Sequence, residues 1–295
     1  MDGRATMIEP LFEHRTTFGG YETRVLELEG SGPPLLMLHG YADSADTWRQ
    51  SLALLARHGQ RAIAVDLPGF GTADRLRAAE ILPQYDAFVA GALRYAAGRP
   101  RRPAVVVGNS LGGCVALRLA ERQAGLVGGV LAVAPAGLVM NRLLDLVQRD
   151  PVLRSLMALP TPVPAVVLRA AVARLYRQLA FARPGEIDPG VVSTFTYHLR
   201  HRATAASYLD IAHRLIPELR APFALERIAA PVLLLWGDRD RLVYHRGAER
   251  VLAAVPESRL ELWEGVGHCP QVEVPERFTE LLLQFADEPT AAVAA

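Results

Sequence analysis

The sequence predicts an α/β fold: a mostly parallel central sheet, helices on both faces, and an inserted all-helical cap. Three observations lead there. Short, continuously apolar runs recur between longer segments of helical spacing. Polar and glycine-rich residues collect at the end of each run. The alternation stops between Gly137 and about Pro222, then resumes at Val232.

The runs read in order as fully buried parallel strands. Leu35–Leu38 follows a Gly-Pro-Pro breaker and ends at His39-Gly40. Ala62–Val65 ends at Asp66 and turns through Pro68-Gly69-Phe70-Gly71. Ala104–Val107 leads into Gly108, Val130–Ala134 ends at Pro135, and Val232–Leu235 ends at Trp236-Gly237-Asp238. Leu260–Leu262 closes the series before Gly265. Segments Leu138–Leu159, Ala165–Phe181 and Val191–Ile216 have helical spacing, broken at Pro160-Thr161-Pro162, Pro184-Gly185 and Pro217. The expected division is therefore a first core part over 1–136, a helical cap over 137–222 and a second core part over 223–295. The Ala291–Ala295 tail is expected to fray.

Composition narrows the function classes. The chain has 295 residues, about half of them apolar, enough for a sizeable core. Its 32 basic residues, all arginine, nearly balance 31 acidic ones, which gives no reason to expect nucleic acid or an acidic membrane as partner. Two cysteines, Cys114 and Cys269, form neither a disulfide framework nor a C-x-x-C pair, and read as packing residues. No signal-peptide pattern and no membrane-length apolar run is visible, so a cytoplasmic location is expected. No metal cluster or dinucleotide loop can be read, so no metal and no cofactor is expected. The oligomeric state cannot be read.

The chemistry gathers at the strand ends. Val105-Val106-Val107-Gly108-Asn109-Ser110-Leu111-Gly112-Gly113 runs from strand through Gly-x-Ser-x-Gly into a helix, the context of a nucleophile elbow. A serine hydroxyl needs an imidazole to take its proton and a carboxylate to fix that imidazole. His268, in the Gly265-Val266-Gly267-His268-Cys269-Pro270 loop after the last strand, is the best-placed histidine. His14 and His58 lie in expected surface segments, His198, His201 and His213 on expected cap helices, and His245 lacks a glycine loop. Asp238 and Asp240 both follow a strand end, and chemistry alone ranks them equally. The oxyanion donors are expected to be the backbone N–H groups of Leu111 and Tyr41. The side chains of Tyr41, Asn109 and Trp236 are candidate walls of a small-molecule pocket.

Together Leu38-His39-Gly40, Asp66-Leu67-Pro68-Gly69-Phe70-Gly71, Gly108-Asn109-Ser110-Leu111-Gly112-Gly113, Trp236-Gly237-Asp238-Arg239-Asp240 and Gly265-Val266-Gly267-His268 resemble the motif series of the α/β-hydrolase fold superfamily. The resemblance runs from about Leu35 to Phe285, apart from the cap. It implies a Ser110–His268–Asp240 triad, because the family's acid ends a Gly-x-x-Asp turn. With Ser110 at the elbow it also implies a serine hydrolase acting through an acyl-enzyme, and the Leu-, Val- and Ala-rich cap makes a small to medium, largely apolar ester, thioester or lactone the expected substrate. The Gly-Asn-Ser-Leu-Gly-Gly elbow is similar to that of carbon–carbon bond hydrolases of ring-cleavage pathways, but Tyr41-Ala42-Asp43-Ser44 lacks their Gly-Pro-Gly run. A receptor that binds ligand without turnover is a further alternative on this fold.

Overall fold

The computed structural model describes residues 11–98, 101–139, 165–188, 190 and 202–288. In chain order the elements are β1 (Leu11–Phe18), β2 (Tyr21–Leu28), β3 (Ser31–Leu38), α1 (Arg49–Arg57), β4 (Gln60–Val65), α2 (Ile81–Ala97), β5 (Ala104–Asn109), α3 (Leu111–Arg122) and β6 (Val127–Val133). There follow α4 (Ala165–Ala180), α5 (Arg202–Glu218), β7 (Val232–Gly237), α6 (Ala248–Ala254), β8 (Ser258–Trp263), α7 (Pro270–Glu273) and α8 (Pro275–Asp287).

Eight strands form one sheet in the order β1-β2-β4-β3-β5-β6-β7-β8. From β3 to β8 every pairing is parallel, and β1 and β2 are antiparallel additions at one edge. All six expected strands are present. The β1–β2 hairpin is the addition, closed by Gly19 and Gly20 at φ 57° and 82°. Positive φ at both turn residues matches the right-handed twist of the flanking strands, and glycine reaches it without penalty.

The parallel strands read as unbroken apolar runs because both faces are covered. On one face Leu36, Leu38, Val106, Ala132 and Leu234 pack with Tyr85 and Phe88 of α2 and Val115 of α3. On the other, Leu35, Met37, Val105, Val107, Leu131 and Leu233 pack with Leu52 and Leu55 of α1 and Phe278 and Leu282 of α8. Adjacent residues of one strand thus belong to different cores, as a two-residue side-chain period requires.

Between β6 and β7 the regular elements of the described chain are helices. Tyr208, Ile211 and Leu215 of α5 join the first core. Glu218, at the end of α5, accepts from Ile81 N and Leu82 N (2.7 and 2.8 Å), satisfying the open amides at the start of α2. Arg214 donates to the carbonyl oxygens of Arg77 and Ala79. The expected helix over 138–159 and the first part of that over 191–216 lie outside the described residues, as does the Ala291–Ala295 tail. No described helix is long and apolar enough to cross a membrane.

A buried charge network fixes the loop that leaves β3. Asp66, fully buried at the end of β4, accepts from Arg24 Nε and Nη2 (both 3.1 Å) and from the backbone of Ala45 and Thr72 (both 2.8 Å). Burial works to raise its pKa, but the hydrogen bonds and charge of Arg24, joined by the other groups around it such as the Ala45 amide, together hold the carboxyl below its ordinary value. Arg24 also holds Asp46 (2.8 Å). The same loop carries Asp43, which burial pushes up from 3.8 to about 7 despite the hydrogen bonds from Ser44 N and the Thr47 side chain.

Two outcomes are expected. Arg24→Met leaves Asp66 buried without its counter-charge and should cost about 3 kcal/mol, a Tm loss of roughly 6–12 °C in thermal unfolding. Asp43 in the native state holds a proton that the unfolded chain releases between about pH 4 and 7. The stability it contributes is therefore complete below about pH 4 and lost as pH rises through 7. Asp43→Asn should raise Tm at pH 8 by a few degrees and much less at pH 4.5. An equal shift at both pH values would contradict a protonated native carboxyl.

Candidate active site

Strand β5 ends at Asn109 and α3 begins at Leu111, so Ser110 alone makes the turn. Its φ of 54° and ψ of −112° are strained for a residue with a Cβ. Backbone bonds hold it there: Ser110 N donates to Val133 O (2.8 Å), and Ser110 O accepts from Cys114 N and Ala136 N (both 3.0 Å). The flanking glycines permit the crowding. A Cβ on Gly108 would stand 2.2 Å from Gly112 O, and one on Gly112 would stand 2.1 Å from Leu38 O. Leu111 opens α3, where the first N–H groups have no acceptor within the helix.

The loop after β3 passes beside this turn, since a Cβ on Gly40 would lie 3.5 Å from Ser110 Cβ. His39 directs it. The buried imidazole accepts from Leu67 N at Nε2 (2.8 Å), which leaves the proton on Nδ1 to be donated to Gly40 O (2.7 Å). In a trans peptide the C=O and N–H point opposite ways, so fixing Gly40 O also aims Tyr41 N–H away from His39. His39 is thereby a neutral orienting group.

His268 is 4 % exposed, and its Nδ1 lies 2.7 Å from Asp240 Oδ2. The other oxygen, Oδ1, accepts from Leu242 N (2.8 Å) and Val243 N (2.9 Å), so the backbone orients the carboxylate. Asp238 does other work: its Oδ1 accepts from Gly265 N (2.7 Å) and closes the turn next to the histidine loop. The two carboxylates that chemistry could not rank differ in their partners, and Asp240 is the one on the imidazole.

The remaining sequence candidates are placed as follows. Asn109 is buried and donates from Nδ2 to His268 O (3.0 Å), a strut between the serine turn and the histidine loop. Trp236, a candidate pocket wall, is fully buried in the first core, with Nε1 donated to Val243 O (3.0 Å). Tyr41 is half-buried, its ring stacked edge-on against Phe70 (5.2 Å between centroids) and its hydroxyl donated to Tyr208 O of α5. Its side chain is therefore committed to the seam with α5 instead of lying free. Cys114 and Cys269 are both buried free thiols, and burial drives the Cys114 pKa up to about 12. That is a packing environment, with no activation of either sulfur. Among the described residues no cluster of His, Cys, Asp or Glu could hold a metal. His198 and His201 lie outside the described residues.

Sequence reasoning missed Glu273. Its carboxylate accepts from Gly267 N and Ala182 N (both 2.9 Å), on either side of the contact between the histidine loop and the chain after α4. Burial raises its pKa, while those amides and that of Cys269 pull it down. Its only sequence signal is an acidic residue in the short helix after His268-Cys269.

The model of the alpha/beta hydrolase family matches residues 35–281. An uncharacterised protein of Mycobacterium bovis is 29% identical over 289 residues, covering 94% of this chain and 82% of the relative. A 2-hydroxy-6-oxononadienedioate/2-hydroxy-6-oxononatrienedioate hydrolase of Paraburkholderia phymatum is 28% identical over 284 residues, covering 90% and 92%. Among solved structures, a membrane phospholipase A described as a bacterial virulence factor superposes with a TM-score of 0.77 at 26% identity, covering 95% of this chain and 86% of that one. Sheet order, serine turn and family match agree, and the chain belongs to the alpha/beta hydrolase family.

Proposed function

We propose that the protein is a serine hydrolase that cleaves a small to medium, largely apolar ester, thioester or lactone through an acyl-enzyme. The observation that carries the reading is the His268–Asp240 pair at 2.7 Å, buried and tied through Asn109 to the strained Ser110 turn. With Nδ1 engaged by Asp240, Nε2 is the nitrogen that accepts the Ser110 proton as Oγ attacks the carbonyl. Asp240 stabilises the imidazolium that forms. The N–H groups of Leu111 and Tyr41 receive the oxyanion, the latter aimed by the His39–Gly40 bond. The imidazolium then protonates the leaving group, and water activated by His268 releases the acid. On this reading 137–222 is a cap over the site and 1–136 with 223–295 is the catalytic core. The apolar composition of 137–222 and the phospholipase similarity favour an apolar ester.

A second reading is hydrolysis of a carbon–carbon bond in a ring-cleavage product. The Paraburkholderia relative and the Gly108–Gly113 elbow favour it, and the Tyr41–Ser44 loop sets this chain apart from it.

A p-nitrophenyl ester chain-length panel beside a coloured ring-cleavage product discriminates the two. Turnover of the esters with little bleaching is expected. Ser110→Ala should lower kcat by roughly 10³-fold or more. Asp240→Asn should lower it by about 10²- to 10⁴-fold, with Asp238→Asn within about twofold of wild type. Wild-type rates in Ser110→Ala would overturn the mechanism. Rapid bleaching with poor ester turnover would favour the second reading, and tight binding without turnover of either would favour a receptor.

A further inference from the structure

The last turns of α4 are bonded directly to the catalytic loops. His268 N donates to Ala180 O (2.6 Å), and Arg241, next to Asp240, donates to Gln178 O (2.8 Å). The Tyr176 hydroxyl lies 3.6 Å from Cys269 Sγ. Packing there is close: a Cβ on Gly267 would lie 2.5 Å from Ala180 O and 2.7 Å from Ala182 N. Into this seam reaches Glu273, one oxygen on Gly267 N and the other on Ala182 N. No other described carboxylate bonds both sides of it.

We infer that Glu273 is a positioning residue that locks the chain just after α4 to Gly267, the residue before His268, so that the two move as one body. The inference rests on the Ser110–His268–Asp240 reading for its kinetic consequence, but not for its structural one. The physical reason is the demand for two acceptors. A carboxylate can receive two N–H groups from opposite sides, whereas an amide presents an acceptor on one side and an NH₂ donor on the other. Glu273→Gln therefore keeps size and shape but must set N–H against N–H at either Gly267 or Ala182. The lost bond frees the histidine loop, and sub-ångström misplacement of an acting imidazole lowers the rate steeply without altering how substrate is held.

The experiment compares wild type, Glu273→Gln, Glu273→Asp and, as a surface control, Glu276→Gln. Steady-state kinetics on the best p-nitrophenyl ester are combined with hydrogen exchange followed by mass spectrometry. For Glu273→Gln a kcat loss of about tenfold to a hundredfold with KM within about twofold is expected. Peptides covering 176–184 and 264–270 should lose protection together. Glu273→Asp, which retains two acceptors on a shorter stem, should recover part of both. Wild-type kcat accompanied by a lowered Tm would overturn the inference, as would loss of protection confined to one peptide. Should Glu273→Gln fail to fold, Glu273→Ala, which removes both acceptors, carries the same test: wild-type kcat and exchange in both peptides would overturn it. Exchange is independent of turnover, so a wild type inert toward the esters would sink the ester reading and leave the lock to be judged by exchange alone.

Discussion

The rest of the site depends on one crowded turn. Ser110 occupies a left-handed conformation that costs on the order of 1–3 kcal/mol, and it keeps that conformation because three backbones converge on it. Gly108 meets Gly112, and Gly112 meets the end of β3, at distances no Cβ would tolerate. That convergence requires β3 and β5 to be neighbours, and the parallel register pairing Leu38 with Gly108 makes them so. The strain is offset by a sheet with both faces buried, where each fully buried leucine contributes about 2–3 kcal/mol. The same register delivers His39-Gly40 beside the serine, so the proposed oxyanion loop and the proposed nucleophile are positioned by one strand pair.

Around that turn, orientation is enforced mainly by the backbone. Asp240 is held by two amides, Glu273 by two more, and the His268 peptide is bonded at both its N–H and its C=O. Each such bond is worth only about 1 kcal/mol net. Their value is directional, because a network with every member bonded has few alternative geometries. Charge is concentrated one layer away, in the Arg24–Asp66–Asp46 group, which anchors the β3 loop from behind.

The sheet is legible in the sequence because its signal is local. Six short apolar runs, most of them ending in glycine or a polar residue and one at Pro135, give six parallel strands. The β1–β2 hairpin leaves only Gly19-Gly20 between weakly alternating segments, and half of β1 is exposed, so its apolar pattern is faint. Ser110, His268 and the Asp238/Asp240 pair can be picked out as candidates because triad chemistry restricts residue types. Choosing between the two carboxylates takes the family resemblance, since both follow the same strand and differ only in which loop amide or imidazole they meet. Trp236 and Tyr41 mislead for a common reason: an aromatic at a strand end looks the same in sequence whether it faces a cavity or a seam. Glu273 is invisible because its partners, Gly267 and Ala182, are backbone amides, which leave no mark in sequence, and one lies some ninety residues away.

The central proposal is that Ser110, presented by the strained turn and activated by His268, is the reactive hydroxyl. Fluorophosphonate labelling of the native protein, followed by peptide mapping, tests it whatever the substrate. The account predicts one label per chain, on the peptide carrying Ser110, and loss of labelling on unfolding. A label on another residue, or no label on folded protein, would contradict it.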